Sequence, residues 1–152
     1  MMKFKRKTIG TWLQINSNEI LNLLKNSSFD WVVFDLEHGN IAIDDLATLV
    51  QIAKYNNLIP FCRLSKPCEN EAMLVLEKGI EGIIFPRIKD EKECLRLSNA
   101  CLYPPKGNRG VGFSISNNFG LNLKKNIKTF KPLIIMMIEN TTSYLNLKKI
   151  IN

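Results

Sequence analysis

The sequence predicts an α/β fold built from successive βα units of the barrel type. Three observations lead there. Short apolar runs of strand length alternate with segments whose apolar residues recur at helical spacing. The run "WVVFDL" is near-continuously apolar, as a strand buried on both faces is. Polar residues then recur where the runs end: Glu37 and His38 after the second, Arg63 near the end of the third, Arg87 in the fourth, Glu139 after the fifth. A (β/α)8 barrel gathers strand ends around one mouth, at its C-terminal face. An open doubly wound sheet also fits the alternation. However, "TWLQINSNE" stands where a Gly-rich phosphate turn would follow the first strand, which disfavours dinucleotide binding.

The elements follow in order. Thr8 to Ile15 reads as the first strand. Asn16 or Ser17 caps a helix with Glu19 in its first turn and Ile20, Leu21, Leu23 and Leu24 as its apolar stripe. Trp31 to Leu36 is the second strand. Asp44 is placed to cap the next helix, whose Leu46, Leu49, Val50 and Ala53 fall at i, i+3, i+4 and i+7. Ile59 to Leu64 is the third strand, followed by a helix from about Glu69 to Lys78 that Gly79 stops. Gly82 to Ile88 is the fourth strand. Asp90 with Glu93 resembles a capping box for a helix reaching Cys101. The stretch "LYPPKGNRGVGFSISNNFG" is a long loop, because its prolines and glycines forbid regular structure through most of it. Leu133 to Ile138 is the fifth strand, and Thr141 or Thr142 opens one more helix.

Bulk properties narrow the function. A chain of 152 residues, 45% hydrophobic and 23% charged, is expected to form one soluble domain over residues 1–152. No apolar run approaches a membrane span. The start "MMKFKRKTIGTW" is basic, but no long apolar segment follows it, so a cytoplasmic protein is expected. The four cysteines, Cys62, Cys68, Cys94 and Cys101, include no C-x-x-C pair, and His38 is the only histidine. Free thiols are expected, with Cys62 and Cys94 in the core. The net charge of +7 does not argue for nucleic acid. Its lysines are spread along helix faces, and the dense run Lys124, Lys125, Lys128, Lys131 reads as a solvated surface. The charge suits a small anionic substrate. Of 21 basic residues five are arginines, and three of these, Arg63, Arg87 and Arg109, fall at strand ends or in the long loop.

Three side chains stand out chemically. His38 leaves a buried strand beside Glu37, with Gly39 to permit a tight turn, and an imidazole so placed suits general base work near neutral pH. Against this stands a loop histidine of no consequence. Arg63, in "PFCRL", is either a strand-end arginine paired with a helix carboxylate or a bidentate clamp on a substrate carboxylate. Glu139, closing "LIIMMIEN", is either an acid at a helix N-terminus or an oxygen ligand for a hard divalent cation.

Together, "GTWLQINSNEI", "FDWVVFDLEHGN", "FCRL", "LEKGIEGIIFPRI", "YPPKGNRGVG" and "IIMMIEN" resemble the HpcH/HpaI family of metal-dependent, pyruvate-type aldolases, in the family's order and over nearly the whole chain. The pairing of "DLEHG" with "YPPKGNRG" carries most of the resemblance. It implies a (β/α)8 barrel that cleaves 4-hydroxy-2-oxo acids to pyruvate and an aldehyde, or runs the reverse condensation. It implies His38 as base, Arg63 as the group that stabilises the enolate, and Glu139 as one of two carboxylate ligands of a divalent ion, Mg²⁺ or Mn²⁺. It further implies an oligomer acting on a small 2-oxo acid, with no role for nucleic acid or membrane. "YPPKGNRGVG" then borders a site or a subunit contact, or is a structural lid.

The family pattern is also departed from. Met137 stands where a substrate-touching glutamine is general, and a thioether cannot donate a strong hydrogen bond. Glu77 matches an aspartate that raises the basicity of the histidine. It precedes the fourth strand, so it lies towards the opposite face from its own chain's mouth and is expected to serve a neighbouring subunit's histidine. Asp35 is the local alternative. Five predicted strands fall short of the eight, over about 250 residues, that close such a barrel. The second metal-binding aspartate, beyond a sixth strand in the family, has no counterpart here. The expectation is therefore a class II aldolase or the N-terminal part of one, in a homo-oligomer or with a complementary C-terminal fragment. The alternative is a non-catalytic half-barrel remnant or assembly module.

Overall fold

The computed structural model describes residues 7–151, so the basic "MMKFKR" start lies outside the described residues. The strands are β1 (Gly10–Leu13), β2 (Trp31–Asp35), β3 (Ile59–Arg63), β4 (Gly82–Phe85) and β5 (Leu133–Met136). They form one parallel sheet in the order β1-β2-β3-β4-β5. A doubly wound sheet reverses direction at a switch point, whereas this sheet adds each strand on the same side of the last. It is an arc of a barrel-type sheet, five βα units long. Each strand is shorter than the apolar run that predicts it, because the ladder ends where the chain turns out at the rim. Arg87 consequently lies just past β4 rather than within it.

The helices are α1 (Asn18–Leu24), α2 (Leu46–Tyr55), α3 (Glu69–Glu77), α4 (Glu91–Cys101), α5 (Leu123–Thr129), α6 (Thr141–Leu145) and α7 (Leu147–Ile150). Ser17 caps α1, its Oγ accepting the Ile20 N–H at 3.2 Å. Asp44 does not cap α2. It is exposed and paired with Lys78 at 3.4 Å, while Asp45 holds the preceding turn by accepting the Ala42 N–H at 2.8 Å. The expected box at α4 is only half formed. Asp90 accepts the Glu93 N–H at 2.9 Å, but the Glu93 carboxylate turns back to the Lys89 N–H instead. Asn140 caps α6 in a reciprocal box with Ser143.

Strand side chains alternate between two environments, as a period of two requires. Val32, Phe34, Cys62, Ile83 and Phe85 point to the helical layer, where they pack with Leu21, Leu46, Leu49, Val75, Leu76 and Leu97 in the main core. Val33, Phe61 and Ile84 point to the inner side with Trp31, Ile135 and Met137. The inner side is concave and open, a hollow of about 370 Å³ whose wall includes Trp12, 42% exposed. All four cysteines are free; Cys62 and Cys101 are buried and Cys94 is partly buried. No helix among the described residues is long and apolar enough to cross a membrane.

The long connection from α4 to β5 contains a short 3₁₀ turn (Ile115–Asn117) and α5, neither legible beforehand. As an αβ connection it lies under the N-terminal ends of the strands. Gly112 comes against Glu77 there, where an added Cβ would stand 3.3 Å from the Glu77 Oε1. The connection therefore does not border the mouth of its own chain. Arg109 fastens it: the buried guanidinium lies over the rings of Tyr103 and Phe130, with centroids 4.7 and 5.3 Å away. Lys124, Lys125 and Lys128 sit on α5, which buries none of its residues, in keeping with a solvated surface.

Candidate active site

The rim at the C-terminal ends of the strands is built on one rung of the sheet. Asp35, last in β2, is in register with Arg63, last in β3. The two side chains meet in a fork: Arg63 Nε donates to Asp35 Oδ1 at 2.8 Å and Nη2 to Oδ2 at 2.5 Å. Asp35 is fully buried, and it also accepts from Gln14 Nε2 at 2.9 Å and from the N–H groups of Glu37 and His38 at 3.1 and 3.2 Å. Burial by itself pushes the Asp35 carboxyl up, but the Arg63, Gln14 and backbone donors outweigh it and hold it at about 2. The Asp35 hydrogen bonds push the Arg63 guanidinium up against the opposing effect of burial, and the charges of Asp35, Glu37 and Glu139 add to the rise. The Arg63 guanidinium also lies 4.8 Å from the centre of the Trp12 ring.

Glu37 is the hub of the next layer. Its Oε2 takes Arg63 Nη1 at 3.2 Å and lies 3.9 Å from His38 Nε2, while its Oε1 takes Arg87 Nε at 3.2 Å. Arg87 closes the row: its N–H donates to Glu139 Oε1 at 2.6 Å and its Nη2 to the Ser65 carbonyl at 2.8 Å. Imidazole, both guanidinium groups and the terminal carboxylate thus stand on one rim in the order His38, Arg63, Arg87, Glu139, on the ends of four successive strands. Gly39 makes the turn that presents His38, because a Cβ there would fall 2.3 Å from the Asp35 carbonyl oxygen and 2.8 Å from that of Gln14. The His38 side chain is 64% exposed.

Of the residues singled out in the sequence, His38, Arg63 and Glu139 are brought together at this rim, and Met137 follows β5 on the inner side. Glu77 is not with them. It ends α3, which runs from the rim back to the start of β4, and so lies at the other end of the molecule. Asp35, the local alternative, is committed to Arg63 and touches the His38 backbone rather than its ring. Asp35, Glu37, Gln14 and Arg87 are the functional candidates that the residue-by-residue reading underrated. The signal for the first was available: two five-residue strands, each ending in an opposite charge, pair those charges when parallel and in register.

A divalent ion finds an incomplete set here. No three His, Cys, Asp or Glu side chains among the described residues could hold one. Glu139 offers one exposed carboxylate, already accepting one N–H, and Glu37 is engaged between two guanidinium groups. The described residues by themselves therefore do not fit the ion.

Known proteins agree with this picture. The family model for HpcH/HpaI aldolase/citrate lyase matches residues 8–152. A hydroxypyruvate/pyruvate aldolase from Roseobacter denitrificans is 26% identical over 145 residues, covering 93% of this chain and 57% of that protein. A 4-hydroxy-2-oxo-heptane-1,7-dioate aldolase from Shigella boydii is 32% identical over 116 residues, covering 76% and 44%. The chain thus spans about half the length of these relatives. Among solved structures, an HpcH/HpaI aldolase/citrate lyase family protein from Burkholderia cenocepacia aligns with a TM-score of 0.87 at 22% identity, covering 94% of this chain and 59% of that one. At that identity the likeness concerns the fold, and it makes the five-stranded arc part of a TIM-type barrel. With the family match running the length of the described residues, this chain belongs to the HpcH/HpaI aldolase/citrate lyase family.

Proposed function

We propose that this chain carries part of the active site of a class II aldolase. The enzyme cleaves 4-hydroxy-2-oxo acids to pyruvate and an aldehyde, or joins them in reverse. The observation that supports it best is Glu37, shared between His38 Nε2 and Arg63 Nη1 at the rim. In this reading the His38 imidazole takes the proton from the 4-hydroxyl, the bond between C3 and C4 breaks, and the aldehyde leaves. The electron pair moves onto C3 and the 2-oxygen, where Arg63 offsets the negative charge. Asp35 fixes the plane of Arg63, so little reorganisation is needed as that charge develops. Protonation at C3 by the imidazolium then gives pyruvate and restores the base.

A bound Mg²⁺ or Mn²⁺ would supply Lewis-acid polarisation of the 2-oxo group. Glu139 would be one donor for it, and the described residues hold no complete set. Met137 would line the substrate channel without a hydrogen bond to the substrate. Glu77, remote from its own His38, would act on the histidine of a neighbouring copy in a homo-oligomer, or would have no catalytic part. The compartment consistent with this chemistry is the cytoplasm.

Pyruvate release from a 4-hydroxy-2-oxo acid, with and without Mg²⁺ or Mn²⁺, tests the reading. Replacing His38 by Ala is expected to lower the rate by about 10²–10⁴-fold, and Arg63→Ala by at least about 10². Activity that survives both substitutions removes the assignment. A second reading, a non-catalytic half-barrel remnant or assembly module, is favoured by the open apolar inner side and the single metal donor. It predicts no turnover under any of these conditions.

A further inference from the structure

We propose that Arg87 is the binding residue for the 1-carboxylate of the 2-oxo acid, so that the substrate lies along the rim from β2 towards β5. The identity of the ligand rests on the aldolase reading. The rim order His38, Arg63, Arg87 comes from the ends of β2, β3 and β4. Neighbouring strands are spaced by about 4.8 Å. A 4-hydroxy-2-oxo acid presents its functional groups in the matching order: 4-hydroxyl, 2-oxo group, 1-carboxylate. With the hydroxyl at His38 and the oxo group at Arg63, the carboxylate arrives at Arg87.

The state of the two guanidinium groups points the same way. Arg63 is buried, gripped in a fork by Asp35, and its third nitrogen goes to Glu37. Arg87 is 57% exposed, makes one ion pair through Nε and one hydrogen bond through Nη2, and its Nη1 has no hydrogen-bond or ion-pair partner among the described residues. It therefore offers an incoming carboxylate charge-assisted hydrogen bonds without giving up the contacts that hold it.

The backbone supports a built position. Arg87 has φ of 52°, in the left-handed region that a non-glycine residue adopts at a cost. Its N–H is held at 2.6 Å by the Glu139 carboxylate, and its side chain is tied to the Ser65 carbonyl. A surface arginine whose only function was solvation would need neither restraint.

The test uses pyruvate and pyruvamide, the neutral isostere, titrated calorimetrically into the chain in EDTA and again in Mn²⁺. The parent is expected to prefer pyruvate by about tenfold or more. Arg87→Gly relieves the left-handed backbone while removing the side chain, so folding does not limit the comparison. It is expected to bind the two ligands alike, and Arg87→Lys to keep most of the preference. A preference undiminished in Arg87→Gly, or no preference for pyruvate in the parent, overturns the proposal. The aldolase reading is judged separately by turnover. Turnover with an unchanged KM in Arg87→Gly removes the subsite and leaves the aldolase. A lost pyruvate preference in Arg87→Gly, with a parent that turns nothing over, keeps the subsite and removes the aldolase.

Discussion

Substituting Asn for Asp35 isolates the electrostatic part of the Asp35–Arg63 fork, because the amide has nearly the same shape. The folded carboxyl sits at about 2 against an ordinary 3.8. At about 1.36 kcal/mol per pKa unit, ionised Asp35 contributes roughly 2 kcal/mol of stability at neutral pH. The neutral amide would also leave the buried guanidinium short of a counter-charge, which raises the expected loss to about 3 kcal/mol. The sign with pH follows from the depressed value. The stabilisation is fully present above about pH 4, where the unfolded carboxyl is ionised too, and it is lost as pH falls through about 2. Urea denaturation followed through Trp12 and Trp31 fluorescence reads this directly. With a slope near 2 kcal/mol per molar, the midpoint of Asp35→Asn falls by roughly 1.5 M at pH 7, and the gap to the parent narrows to about 1 kcal/mol by about pH 2. Equal midpoints at pH 7, or a gap as wide at pH 2 as at pH 7, would refute the argument that charge rather than shape holds this rung.

Two further outcomes follow from the same packing. Gly39→Ala drives a Cβ to 2.3 Å from the Asp35 carbonyl oxygen; thermal or urea unfolding should show a loss of about 1–3 kcal/mol, and unchanged stability would mean that the His38 turn is not packed as described. Native alkylation at pH 8, mapped by mass spectrometry, should modify Cys68 first. Burial pushes the thiols of Cys62 and Cys101 up, the latter to about 12 with some relief from Arg109, so both should react only on unfolding. Prompt labelling of Cys101 in the folded chain would contradict its burial.

Much of the architecture could be read from pattern alone, and the exceptions have physical causes. α2 declares itself because Leu46, Leu49, Val50 and Ala53 are all buried on one stripe. By contrast, α5 buries nothing, so "LKKNIKT" carries no stripe for a pattern to find. Asp44 and Asp45 are adjacent acids with equal capping propensity, and only the turn accepted from Ala42 separates them. At the rim, His38, Arg63 and Glu139 were legible as chemistry-bearing types at strand ends. Their shared partners were not, since the bridge through Glu37 depends on how far each side chain reaches across neighbouring strands. Arg87 was visible as a charge near β4, but its left-handed backbone and its hold on Glu139 exist only in three dimensions.

The shared rung of Asp35 and Arg63 has a consequence for which changes in length the chain can absorb. Adding or deleting one residue inside Trp31–Asp35 would rotate every later side chain of that strand to the other side of the sheet. The carboxylate would then be thrust among the helices, the guanidinium would lose its fork, and Phe34 would be turned out of the core. Side chains within β2 and β3 can drift while keeping their volume, but indels there are forbidden. Variation in chain length is confined to the turns, above all to the stretch between α4 and β5, where an extra residue shifts no rung.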